Sequence, residues 1–213
     1  MTADLLEYVK PLENRASKAD ERRERILAAA RNLFMRHGFH GTGVAQIAHD
    51  SGVKVGQLYR DFACKEDIVA ALVEADVISF LEHRALSDAV AARDFAMVRR
   101  WIERFMEDDP ELEDDCALIA ETISEATRNP RVAEIVRGID KRVRDSILTA
   151  LDFLAPGESK AQRRRQLADF IMAVGHGVWL RKISDPQLDY ERLATYVGDL
   201  IDAELSKIIA ADV

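Results

Sequence analysis

Only two cysteines, Cys64 and Cys116, occur in the 213 residues. Far apart in sequence, they form no disulfide framework and fit a reduced, cytoplasmic setting. No apolar run approaches the roughly 18 residues that a membrane-spanning helix needs. The opening stretch MTADLLEYVKPLEN has acids where a secretory leader would have bases followed by an apolar segment, so a cytoplasmic location is expected. Runs of Val, Ile and Thr in period-two alternation are missing, which argues against a β architecture. A glycine-rich phosphate loop and a nucleophile-elbow pattern are missing too. The five histidines, His37, His40, His49, His83 and His176, form no metal-ligand spacing. His37-x-x-His40 straddles a glycine and has no partner cysteines. No catalytic residue, metal or cofactor is expected, and an enzyme reading has no residue to start from.

What the chain does have is apolar material for a packed core, 48% of residues, together with 32% charged residues. The net charge is −8, but it is unevenly spread. From Lys10 to Lys65 there are 11 lysines and arginines against 6 acids; from Glu66 onward there are 19 against 30. A basic front on an acidic body suits a protein that reads DNA, with attraction at one face and little non-specific adhesion elsewhere.

The pattern is helical almost throughout, so an all-α fold is expected. Residues 1–19 read as a polar extension with Pro11. A first helix is expected from Asp20 to His37, with Ile26, Leu27, Ala30, Leu33 and Phe34 on one face and Gly38 as its stop. Two short helices follow, Val44–Asp50 and Val55–Phe62. A long helix opens at Lys65 and extends to about Ala92. Further helices are expected over Asp94–Glu107, Asp114–Arg128, Arg131–Leu154, Ser159–Ile183 and Asp189–Ala210, separated by Asn129-Pro130, Pro156-Gly157 and Asp185-Pro186.

The segment from Val44 to Leu58 carries the functional signal. Two helices that cross steeply need a small residue where their backbones approach, and Ala48 is placed for that. The turn between them favours a residue that accepts positive φ, and Gly52 lies four positions on. Ile47, Val53 and Leu58 supply apolar pins. This leaves the outer side of Val55–Arg60 free to enter a major groove, the arrangement of a helix-turn-helix spanning Thr42 to Asp61.

Residues Arg25–Val73 also resemble the DNA-binding domain of the tetracycline-repressor (TetR) family. The match rests on Ile26-Leu27, Ala29-Ala30, Leu33-Phe34, Gly38, Thr42, Val44, Ile47-Ala48, Gly52-Val53, Gly56, Leu58-Tyr59, Phe62 and Lys65-Glu66. Gly177-Val178-Trp179-Leu180-Arg181 is a weaker echo of a late helix in some members. The resemblance implies a three-helix DNA-binding domain over residues 20–66. It also implies a helical effector-binding and dimerisation domain over residues 67–213, joined to the first through the long helix. Its default function is repression, with release from operator DNA by a small-molecule effector.

It further implies roles for individual residues. Tyr59, Lys65 and Thr42 look like contacts to DNA phosphates. Lys54, Val55, Gly56, Gln57 and Arg60 sit at groove-facing positions. Gln57 suits an adenine edge, Val55 a thymine methyl, and Gly56 a close approach of backbone to DNA. Three positions depart from the family. Gly43 replaces a Thr or Ser, so a hydroxyl cap or phosphate contact is lost there. Lys54 replaces a capping Ser or Thr, exchanging a cap of about 1 kcal/mol for charge. Asp61 replaces a His, Asn or Tyr, and a carboxylate beside DNA needs a neutralising cation such as Arg60 or Lys65.

In the acidic body, Ala168, Ala173, Gly175, Gly177 and Gly198 put small residues on the last two long helices. Glycine inside a helix is costly, so several together suggest close helix–helix approach. A homodimer built from two helices per subunit would use them and would match a palindromic operator; packing within one chain is the alternative. Phe80, Trp101, Phe105, Met172, His176 and Trp179 are candidate effector-pocket residues, with Glu121 or Glu125 as polar anchor; ordinary core is the competing role for each. Cys64 beside Lys65 at a helix start raises a second possibility, a redox-sensing thiolate. A partner-binding module without DNA is a third.

Overall fold

The computed structural model describes residues 17–81, 83–104, 113–185 and 187–212. They form ten α-helices and, among the described residues, no strand. The chain divides into two compact units, Met1–Ile68 and Val69–Val213. The expected extension over residues 1–19 lies almost wholly outside the described residues.

In the first unit, α1 spans Lys18–Gly41 with a kink at Gly38. Ser17 opens it with a capping box: its hydroxyl accepts from the Asp20 N–H at 3.2 Å, and the Asp20 carboxylate accepts from the Ser17 N–H at 3.0 Å. Ile26, Ala30, Leu33 and Phe34 are buried, as the periodicity predicts, and Leu27 is half-buried. Gly38 has φ 69° and ψ 172°, a conformation essentially restricted to glycine. The helix therefore ends there in effect, and Phe39–Gly41 form a separate short turn. Helix α2 is Val44–Asp50 and α3 is Val55–Asp61. Helix α4, Lys65–Leu81, begins in this unit and continues into the next.

In the second unit, α5 is His83–Ala92 and α6 is Phe95–Glu103. The long helix expected from Lys65 to Ala92 covers α4 and α5, and residue 82 between them lies outside the described residues. The Trp101 indole N–H of α6 donates to the Leu81 carbonyl at 2.6 Å. Helix α7 is Glu113–Ala126, α8 is Pro130–Leu154, α9 is Ala161–Ser184 and α10 is Tyr190–Ile209. Three of the helices in this unit open on a side-chain cap. Asp94, Asn129 and Asp189 each accept a backbone N–H of the following turn, and Pro130 occupies the first turn of α8. Helices α5, α6, α8, α9 and α10 pack into one core, with Val98, Ile147, Leu151, Ile171, Val197 and Ile201 at its centre. Two buried cations close helix ends by donating to carbonyls: Arg164 to Ala155 and Gly157, and Lys160 to Ile209.

Among the described residues no helix is long and apolar enough to cross a membrane. The same residues hold no group of three or more His, Cys, Asp or Glu able to bind a metal.

Candidate nucleic-acid interface

The junction of α2 and α3 is built from backbone geometry first. Val53 N–H donates to the Ala48 carbonyl at 2.9 Å, and Gly52 N–H to the His49 carbonyl at 3.1 Å. These two bonds with a left-handed Gly52 (φ 66°) make a Schellman turn. Any side chain at Gly52 would be strained there. Ala48 is buried where the helices meet, and Ile47, Val53 and Leu58 are buried beneath them. The scaffold expected from spacing is therefore in place at all five positions.

The outer surface has the complementary character. Lys54, Val55, Gly56, Tyr59 and Arg60 are exposed, and Gln57 is half-buried. A Cβ added at Gly56 would meet nothing within 4 Å, so no protein contact requires glycine there. Gly43 and Lys54 precede α2 and α3, and neither gives a side-chain cap. The losses expected from those two departures are real, and the first N–H groups of both helices lack a side-chain acceptor from these positions.

Thr42 and Lys65 are placed differently from their expected outward roles. Thr42 is 1% exposed, and its hydroxyl donates inward to the carbonyls of Gly38 (2.9 Å) and Leu33 (3.1 Å). The hydroxyl thereby ties Thr42 back to the end of α1 on both sides of the kink. The half-buried Lys65 directs its ammonium at the carbonyls of Phe39 (2.5 Å) and Thr42 (2.9 Å) and lies 4.1 Å from the centre of the Phe39 ring. Both residues close the corner between α1 and α2 in this structure.

The cation that neutralises Asp61 is neither Arg60 nor Lys65, as expected, but Arg22 of α1. Arg22 Nε donates to Asp61 Oδ2 at 2.6 Å and Nη2 to Oδ1 at 2.8 Å, a two-pronged ion pair. Arg23 donates to the Asp61 carbonyl at 3.3 Å, and its guanidinium lies 4.3 Å from the centre of the Phe62 ring. The hydrogen bond from Arg22 is the largest influence holding the Asp61 carboxyl below the usual carboxylate range. It outweighs partial burial, and the charges of Arg22, Arg23 and Arg60 add to it. With the folded-state value lowered, the pair's stabilisation is complete above the ordinary carboxylate range and is lost as pH falls through the lowered value. Thermal melts between about pH 7 and about pH 3 should therefore show a smaller acid-side loss in Asp61→Asn than in the unchanged chain. Equal acid sensitivity in the two proteins would assign the loss to other carboxylates.

The alternative of a Cys64 thiolate has no support in its surroundings. Burial pushes the Cys64 thiol up, and hydrogen bonds with the side chains of Glu66 and Asp67 push it further, against a backbone N–H from Asp67. Lys65 is engaged elsewhere, so the redox-sensor reading loses its physical basis.

The described members of the candidate effector set occupy different settings. Trp101 is buried in the core with its N–H satisfied. Glu121 and Met172 are half-buried on α7 and α9. Glu125 is buried and bonds Arg128 at 2.8 Å and Asn129 at 3.3 Å, so it anchors the end of α7. His176 is exposed on α9, with Nδ1 2.7 Å from the Met172 carbonyl. Phe105 and the side chains of Phe80 and Trp179 lie outside the described residues.

A pinned two-helix corner, a glycine turn and an exposed second helix, followed by a separate helical unit, define a helix-turn-helix DNA-binding transcriptional regulator. Residues 26–72 match the family described as bacterial regulatory proteins, tetR family, and residues 95–206 match the C-terminal domain of BetI-type transcriptional repressors. The chain belongs to the TetR family. It is similar to the transcriptional regulator UidR of Escherichia coli K12, with 27% identity over 160 residues, 74% of each chain. The regulator HbdR of an Aromatoleum species is 36% identical over 63 residues, 30% of this chain and 28% of its own. Among solved structures, GusR of Salmonella enterica superposes with a TM-score of 0.65 at 22% identity, covering 89% of this chain and 98% of its own. A TetR transcription regulator of Haloarcula marismortui gives 0.69 at 16% identity, covering 86% and 97%.

Proposed function

We propose that the chain is a homodimeric repressor that grips operator DNA through α3 and the corner before it, and leaves the operator when a small molecule binds the second unit. The observation that carries the DNA-reading part is the exposed, uncapped outer side of α3, held from beneath by Leu58. Gln57 and Val55 read base edges, Gly56 admits close backbone approach, and Tyr59, Lys54 and Arg60 bind phosphates. Gly43 and the backbone around Thr42 lie at the start of α2, on the phosphate side of the motif. Lys65 holds the α1–α2 corner and so positions those groups.

Dimerisation is supported by a stripe that the chain itself leaves uncovered. On α9, Phe170, Ala173, Gly177 and Leu180 recur at helical spacing and are exposed; on α10, Tyr196, Leu200 and Ala203 do the same. Tyr196 is 61% and Leu180 56% exposed, unusual for residues of their size. A Cβ added at Gly177 or at Gly198 would meet nothing within 4 Å. Packing within one chain therefore gives no reason for these two helix-interior glycines, whereas a second copy would. Such a two-fold pairing matches a palindromic operator. His176 lies on this same side, so its role falls with the interface rather than with an effector.

The effector site belongs to residues 69–213, where Met172 and Glu121 remain the half-buried candidates. Helix α4 carries residues of both units, so a shift in it is the direct covalent route from effector to DNA grip.

The experiment is selection of DNA by the purified protein from a random-sequence duplex library, followed by titration at several salt concentrations. A palindromic sequence bound with a steep salt slope is expected. Lys54→Ala or Arg60→Ala should each reduce the slope of log K against log salt by about 1. Tyr59→Phe should weaken binding to all sequences alike. A slope unchanged by a substitution removes that residue from the phosphate contacts, and enrichment of no sequence argues against the regulator reading altogether.

A further inference from the structure

The Arg22–Asp61 pair lies at the end of the recognition helix, opposite the end where α3 meets the glycine turn. Helix α3 has seven residues, fewer than hold their own shape in water. Its N-cap, Lys54, gives no side-chain bond, and Leu58 is its only buried residue. Within the helix Leu58 is the sole apolar anchor, with buried Val53 before it and Phe62 after it, so the direction of α3 depends on how its ends are held. The last residue of α3 makes the directional contact. Asp61 is gripped through both carboxylate oxygens by Arg22, with Arg23 on its carbonyl and on the ring of the next residue, Phe62. A fork-shaped guanidinium on both oxygens fixes direction as well as distance, which a single contact does not. The side chains of Arg22 and Asp61 are 24% and 14% exposed, so water competes only partly for the pair.

We propose that Arg22 and Asp61 are positioning residues for base reading: by fixing the direction of α3 against α1, they set the protein's discrimination between its operator and other DNA. This rests on the reading of α3 as the groove-entering helix. The pair touches no base in this role. It acts through Val55, Gln57 and Arg60, whose reach into the groove depends on the tilt of the helix that carries them. It also explains how a carboxylate is tolerated one residue after Arg60, on a surface that meets phosphate.

The prediction separates positioning from charge. Asp61→Asn removes a negative charge near DNA, so electrostatics alone would tighten binding to every duplex. Positioning instead requires the ratio of specific to non-specific affinity to fall, by about tenfold, the scale of one misaligned bidentate base contact. Arg22→Lys keeps the charge but has no fork, and should lower the ratio about as far as Arg22→Gln does. The double variant Arg22→Gln with Asp61→Asn should fall no further than either single change, because both remove one interaction.

The measurement is fluorescence anisotropy of full-length protein with two labelled duplexes: the sequence the unchanged protein selects from a random library, and a scrambled duplex of the same composition. Circular dichroism at the assay temperature checks the fold of each variant. Should Arg22→Gln unfold, Arg22→Lys and Asp61→Asn carry the comparison. A reduced ratio with a folded protein supports the pair's role. Parallel changes on both duplexes, or no change, overturn it while leaving the regulator reading intact. Failure of the unchanged protein to select any sequence overturns that reading, and the pair's role with it.

Discussion

Leu180→Asp is expected to turn dimers into monomers at concentrations where the unchanged protein is paired. In the single chain Leu180 is 56% exposed, so a carboxylate there costs the folded monomer little. In a two-fold interface it would be removed from water without a partner, and twice, since both copies carry it. At a few kcal/mol per copy, the dimer dissociation constant should rise by about three orders of magnitude or more. Analytical ultracentrifugation measures this directly, and circular dichroism should show the helices intact. Operator affinity should drop in step, because two half-sites can no longer be engaged together. A Leu180→Asp protein that remains dimeric would place the interface elsewhere and leave Gly177 and Gly198 without a reason.

The second large effect is expected at Leu58. It is fully buried and is the sole apolar anchor within α3. Leu58→Ala removes that anchor and leaves a cavity, at a cost of about 2–5 kcal/mol. Because α3 is short and uncapped by side chains, the loss should appear locally as fraying of the recognition helix. Hydrogen exchange should quicken at amides of α2 and α3 while the core amides of α8 and α9 keep their protection. Specific DNA binding should disappear even where most of the protein stays folded. Retained protection in α3 would mean that the arginines of α1 suffice to hold it.

Much of this molecule was legible in the sequence, and for identifiable reasons. The helix-turn-helix depends on short-range spacing: Ala48, Gly52, Val53 and Leu58 lie within eleven residues, and their sizes and backbone preferences point to one geometry. Helix starts near Asp94, Arg131 and Asp189 are equally plain, because the signals for them lie within one turn. What escaped notice depends on distant parts of the chain meeting. Arg22 and Asp61 are 39 positions apart, and only the crossing of α1 with α3 brings them together. The contact of the Trp101 indole with the Leu81 carbonyl, twenty residues away, likewise comes from packing. The resemblance implies an outward role for Thr42, yet its hydroxyl donates inward to the carbonyls of Gly38 and Leu33. The effector residues were the least legible, since a pocket is a property of how several helices pack and not of any one of them.

The way α3 is fastened has a consequence for how such a regulator changes over generations. Its supports are Leu58 below, the turn at Gly52 before it, and Arg22 and Arg23 at its end. None of the outward residues Lys54, Val55, Gly56 or Arg60 makes any of these contacts. The side chains that hold α3 in place are thus different from the ones it turns outward. As promoters drift, the outward positions can be rewritten one at a time without the protein passing through an unfolded ancestor.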